Sequence, residues 1–128
     1  MSITVLTPTG TLGYGFDAGA FRRAMDMVPD VIAVDAGSTD PGPSYLGSGK
    51  PLVPRFSIKR ELTDIIAAGR AANIPVVVGS AGGAGARAHV DWTADIVREI
   101  AAERGLKFRL ATIYADVPIE RAKRAVRD

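Results

Sequence analysis

Four short runs of apolar and β-branched residues, Ile3–Leu6, Val31–Val34, Pro75–Val78 and Phe108–Tyr114, are separated by longer stretches with helical apolar spacing. This alternation constrains the fold more than any other feature. Strands divided by helices cannot pair as tight hairpins, so they run parallel and are joined by right-handed crossovers. The expected fold is α/β: a small, mostly parallel sheet of about four strands with helices on both faces, in Rossmann- or flavodoxin-like layering. The first helix is predicted from about Asp17 to Met27, with Phe21, Ala24, Met25 and Val28 on its apolar face. Ser57 is the expected N-cap of a second helix ending near Ala72, with Ile58, Leu62, Ile65 and Ile66 as its buried stripe. A third runs from about Val90 to Arg104, with Trp92, Ile96, Val97 and Ile100 inward and Gly105 at the C-terminal cap. Pro118 opens the last, with Ile119, Ala122 and Val126 on one side.

At 128 residues the chain reads as a single α/β domain, 1–128, long enough for one hydrophobic core. A further strand after the last helix would suit a longer protein, of which this would be the N-terminal part. Hydrophobic residues make up 47% and charged residues 23%, an ordinary globular balance. The absence of cysteine excludes disulfides, thiolate catalysis and Cys-ligated metal centres. A net charge of +2 does not argue for nucleic acid, although it suits a modest preference for anions. The N-terminus lacks the basic and apolar regions of a signal peptide, and no run approaches the roughly 20 apolar residues of a membrane span. A cytoplasmic location is the expectation.

Ligands of open α/β sheets bind outside the carboxyl ends of the strands. That rule gathers Thr7–Gly15, Asp35–Asp40, Gly79–Gly85 and Tyr114–Asp116, which are also the segments richest in Gly, Ser, Thr and Asp. The loop Gly79-Ser80-Ala81-Gly82-Gly83-Ala84-Gly85 has four glycines in seven residues and precedes a helix N-terminus, which favours a phosphate or carboxylate. The same glycines also suit a tight turn with close helix–sheet packing. No Walker lysine follows. Gly13-Tyr14-Gly15-Phe16-Asp17-Ala18 fits G-x-G-x-x-A, with Asp35 about 20 residues on, but Thr7–Leu12 intervene between the strand and Gly13.

Thr9, Gly10, Ser38, Thr39, Asp40, Gly79, Ser80, Gly82, Gly83 and Asp91 are the candidate ligand-binding residues, and His89 and Asp35 the candidate catalytic ones. Asp35 can orient a hydroxyl, a cationic group or a metal, while Asp40 before Pro41-Gly42 also makes an ordinary turn. His89, the only histidine, suits proton transfer but is equally a surface residue before a helix, where Asp91 would be the cap. No complete metal-ligand set is present, and the sequence specifies no cofactor. The segment from Ala36 to about Phe56 carries Gly37, Gly42, Gly47, Gly49, Pro41, Pro43, Pro51 and Pro54, which exclude a continuous helix. Loops of this length are either functional or simply irregular insertions, and Tyr45 within it is a candidate lid residue.

The run from Val31 through Asp35-Ala36-Gly37-Ser38-Thr39-Asp40-Pro41-Gly42-Pro43, with Tyr45-Leu46-Gly47, resembles the N-terminal region of the acyclic terpene utilisation (AtuA-like) family. Gly79–Gly85, His89-Val90-Asp91-Trp92-Thr93 and Ile96–Ile100 resemble the same family. Its members are longer. The resemblance implies catabolism of branched acyclic terpenoids and other organic acids, often as acyl-CoA thioesters, and makes Asp35, Ser38, Asp40, Gly82, Gly83, His89 and Asp91 site candidates without assigned roles. Ala86-Arg87-Ala88 departs from the more polar, Asp-containing segment that family would have there.

Three functions follow as expectations. The first is an enzyme domain of organic-acid or acyl-CoA catabolism that binds a small anionic ligand (an organic acid, a phosphate or a CoA ester) at the carboxyl edge. The second is a non-catalytic module that assembles with a partner domain or as a homo-oligomer. The third is an NAD(P)- or FAD-binding oxidoreductase domain.

Overall fold

A computed structural model describes residues 2–38 and 40–127. The elements are β1 (Val5–Leu6), α1 (Ala18–Met25), β2 (Val31–Asp35), α2 (Pro43–Ser48), α3 (Arg55–Ala72), β3 (Val76–Gly79), α4 (Arg87–Arg104) and α5 (Ile119–Arg127). A short 3₁₀ turn, Ala81–Gly83, lies between β3 and α4. The sheet is parallel in the order β1-β2-β3, with Val5 opposite Val31 and Ile32 opposite Val76.

The expected α/β class and parallel pairing are therefore present, on a three-stranded sheet. Among the described residues, Phe108–Tyr114 pairs with no strand, although its β-rich composition predicts a fourth. Register then decides which face is covered. Ile32 and Val34, with their partners Val76 and Val78, point at the core formed by Ile58, Leu62, Ile65, Ile96 and Ile100 of α3 and α4. The alternate residues face the other way, and there Val5 is 54% and Val77 52% exposed. Right-handed crossovers in a 1-2-3 order put the connecting helices on one face, and α1 joins that layer through Phe21 and Met25.

Local chemistry explains the element ends. The Asp17 side chain caps α1 by accepting from the Ala20 amide. That helix stops at Met25, two residues before its expected end, and Val28 lies beyond it at φ 55° and 81% exposed, so it is not on the buried face. Asn73 and Gly105 end α3 and α4 in the left-handed conformation. Helix α3 begins at Arg55 after Pro54, ahead of the expected Ser57 cap. Helix α4 begins at Arg87, so Asp91 lies inside it and is not its cap. Lys59 of α3 bonds Glu99 at 2.5 Å and Glu103 at 2.7 Å on α4, and Arg55 also pairs with Glu99. Among the described residues no helix is long and apolar enough to cross a membrane.

Candidate functional site

The carboxyl ends of β1, β2 and β3 bring three loops together. After β1 the chain turns back so that the buried Leu12 donates its amide to the Asp35 carbonyl, 2.8 Å away, at the end of β2. Gly37 presses the β2 loop onto the glycine loop: a Cβ there would lie 2.1 Å from the Gly83 carbonyl oxygen and 2.6 Å from the Ser80 Cβ. Only glycine permits that approach.

Between the first two loops lies a groove of about 440 Å³ lined by Thr9, Gly10, Thr11, Tyr14, Ser38, Asp40, Pro41 and Leu52. It unites four sequence candidates, Thr9, Gly10, Ser38 and Asp40. The Thr9 hydroxyl donates to the Thr11 carbonyl at 3.2 Å, and the Asp40 amide donates to the Ser38 hydroxyl oxygen at 3.2 Å. Ser38 thus keeps its proton to donate to a guest, while Thr9 keeps only acceptor capacity. Thr39 lies outside the described residues. Asp35 is exposed at the strand end and accepts the Gly37 amide at 3.1 Å, but it does not line the groove.

Gly79 and Ser80 line a different cavity, a cleft of about 1190 Å³ between β3 and the segment Lys107–Ile113. Gly82 and Gly83 are buried. Gly82, at φ 71°, lies so close to His89 that a Cβ would fall 2.7 Å from the His89 carbonyl oxygen. His89 is fully buried, and its Nε2–H donates to the Lys50 carbonyl at 3.1 Å. Its Nδ1 has no partner among the described residues. The histidine thereby ties the strap around Lys50 to α4 and lines neither cavity. Asp91 is exposed and accepts from the Tyr114 hydroxyl at 2.8 Å. Tyr45 is exposed on α2 and does not line the groove.

Two seats that the sequence offers to anions are filled from within the chain. Gly13 (φ 103°) and Gly15 (φ 95°) donate their amides to the two oxygens of Glu61, at 2.6 and 2.8 Å. This carboxylate is buried on α3 and takes the place a pyrophosphate would need at the G-x-G turn. At the start of α4, the Arg87 amide donates to Asp116 at 2.8 Å. Sequence reasoning passed over Glu61. Its signal was the spacing: three residues after Ile58 and four before Ile65, it shares the buried stripe.

Among the described residues no three His, Asp or Glu side chains converge on a metal-sized site. Comparison with protein-family models, curated proteins and solved structures finds no match for the chain.

Proposed function

We propose that the chain is the ligand-binding α/β domain of an enzyme of organic-acid or acyl-CoA catabolism, taking a small anionic ligand at the carboxyl edge of its sheet. The observation that carries this reading is the groove in which Thr9, Gly10, Ser38 and Asp40 meet from two separate strand ends. The Ser38 hydroxyl, whose proton is free, suits an oxygen of a carboxylate or phosphate, and the Thr9 oxygen can accept from a hydroxyl of the ligand. Asp40 repels a bare anion, so the ligand that fits is a hydroxylated acid or its thioester, with its own hydroxyl facing the carboxylate. Asp40 is then the group in the groove able to exchange a proton with it. The resemblance to the acyclic terpene utilisation family supports the same substrate class. A cytoplasmic location suits this chemistry. Occupation of the Gly13 and Gly15 amides by Glu61 weighs against the dinucleotide alternative.

The test is the thermal midpoint of the purified chain against hydroxy acids, dicarboxylates, CoA, acyl-CoAs and nucleotides. A ligand at 100 times its Kd adds about 2.7 kcal/mol of stability by mass action. The expected result is a rise with an acid or CoA ester that disappears in a folded Thr9→Val/Ser38→Ala double variant. No rise with any of these anions sinks the reading, and a rise with NAD or FAD alone transfers it to the dinucleotide class.

A second reading, an assembly module, is favoured by α5. That helix buries no side chain and leaves Ile119 and Val126 exposed. A chain that sediments as a monomer at high concentration counts against self-association through α5.

A further inference from the structure

The cleft beside β3 is built like a gap in a sheet. Ile32 donates its amide to the Pro75 carbonyl and Ala36 to the Gly79 carbonyl. By the alternation of a parallel ladder, the main-chain groups of Val76 and Val78 therefore point to the free edge and into the cleft. The facing wall is Lys107–Ile113. It runs in the same direction as β3, because α4 returns the chain to the Val76 end and Ala115 donates its amide to the Gly85 carbonyl at the Gly79 end. Among the described residues the main chain of 107–113 makes no main-chain hydrogen bond.

Both ends of this wall are fixed. Leu106 donates to the Ala101 carbonyl at 2.9 Å and Phe108 packs on the core. At the other end Tyr114 bonds Asp91, Arg87 lies over the Tyr114 ring and Asp116 accepts from the Arg87 amide. The slot between two unpaired edges is thus held at its ends, over an apolar floor that includes Ile66 and Val97. Arg70, Lys107 and Arg109 also line it; among the described residues no carboxylate does, and none of the three cations forms a salt bridge.

We propose that this slot accepts an extended polypeptide strand from a protein partner, apolar at alternate positions and acidic where it passes Arg70, Lys107 and Arg109. Such a strand pairs with the main chain on both sides while its side chains meet the floor and the cations. A fatty acid would match floor and charge but leave both main-chain edges unpaired. A second copy is poorly suited, because its own unpaired run 107–113 carries Lys107 and Arg109 and would meet like charge. The inference is independent of the carboxyl-edge groove, so the Thr9→Val/Ser38→Ala variant leaves strand binding unchanged.

The probe is a labelled nine-residue peptide of alternating valine and threonine with two aspartates at one end, made with the aspartates at either terminus. One isomer is expected to bind saturably and to slow amide exchange at Val76, Val78 and across 107–113. Lys107→Glu/Arg109→Glu, both exposed sites, should weaken that peptide at least tenfold and favour its lysine-ended counterpart. Val78→Pro removes an outward amide from an edge strand and should weaken both peptides, with retained circular dichroism showing the fold intact. Absence of saturable binding by either isomer overturns the proposal. So does binding that ignores the charge reversal, displacement by decanoate without loss of fold, or a dimer that the peptide fails to dissociate.

Discussion

Glu61 shows how one buried side chain can hold a whole loop. Its carboxylate accepts two amide hydrogens from Gly13 and Gly15 while the rest of its helix face packs on the core. A hydrogen bond to a charged group contributes about 1.5–3 kcal/mol. Glu61→Ala removes both bonds and is expected to cost about 3 kcal/mol in urea unfolding, whereas Glu61→Gln, which keeps one acceptor, costs about half of that. The vacated amides would still favour an anion, so millimolar phosphate should recover part of the loss in Glu61→Ala and none in the native chain. Equal stability of all three proteins would show that the loop holds itself. The same residue marks a limit of sequence reading. Helical spacing puts Glu61 on the inner face, but only the fold shows that its partners are amides 46 and 48 residues away. Gly82 carries a related lesson: substituting it pushes a Cβ into His89, so a change there reports on folding before it reports on a ligand.

The pairing of α3 with α4 rests on an apolar seam and on the Arg55–Glu99–Lys59–Glu103 cluster at its rim. The hydrogen bond from Lys59 holds the Glu99 carboxyl below its ordinary value of 4.5. Hydrogen bonds to Glu103 and then Glu99 hold the Lys59 amine above its ordinary 10.5. A lowered carboxyl contributes stability above its unfolded value, and that contribution is lost as pH falls through the folded one. A raised amine contributes below its unfolded value and loses it as pH rises through the folded one. The cluster therefore supports the seam between about pH 4.5 and 10.5. The difference in thermal midpoint between the native chain and Glu99→Gln should be constant across that window and shrink below it. Because these groups lie at the rim and remain partly open to solvent, the difference should also shrink in 1 M salt. A difference unchanged at pH 3 would assign the seam to packing alone. At this scale the helices were legible, because Ile58, Leu62, Ile65, Ile96 and Ile100 repeat at the period that packing requires. Their starts were not: neither Pro54 nor Ala86 supplies a side-chain cap to the helix that follows it, the Arg87 amide is met by Asp116 from 29 residues on, and no local residue type announces such an end.

In the whole molecule, the parallel sheet was legible because alternating strand and helix leave few topologies. The fourth strand was not, because β-propensity in Phe108–Tyr114 specifies an extended chain and says nothing of its partner. The candidate groove was legible in part: topology located Thr9, Gly10, Ser38 and Asp40, while the anion seats at Gly13–Gly15 and at α4 proved to be filled by Glu61 and Asp116. The chain after α4 then divides into two pieces with different ties to the body. Residues 106–116 contribute Phe108 to the core and clamp the start of α4 through Tyr114 and Asp116. From Val117 onward the chain buries no side chain in the described residues. Deleting everything from Val117 should therefore shift unfolding stability by no more than about 0.5 kcal/mol, the usual range for changes away from packed sites. Deleting everything from Lys107 should cost about 3 kcal/mol, because a half-buried aromatic packed on the core and the Asp116 cap of α4 go together. Urea midpoints of the three chains read this directly. Equal losses in both deletions would mean that α5 packs on the body in solution, and the exposed Ile119 and Val126 would then cease to argue for a partner.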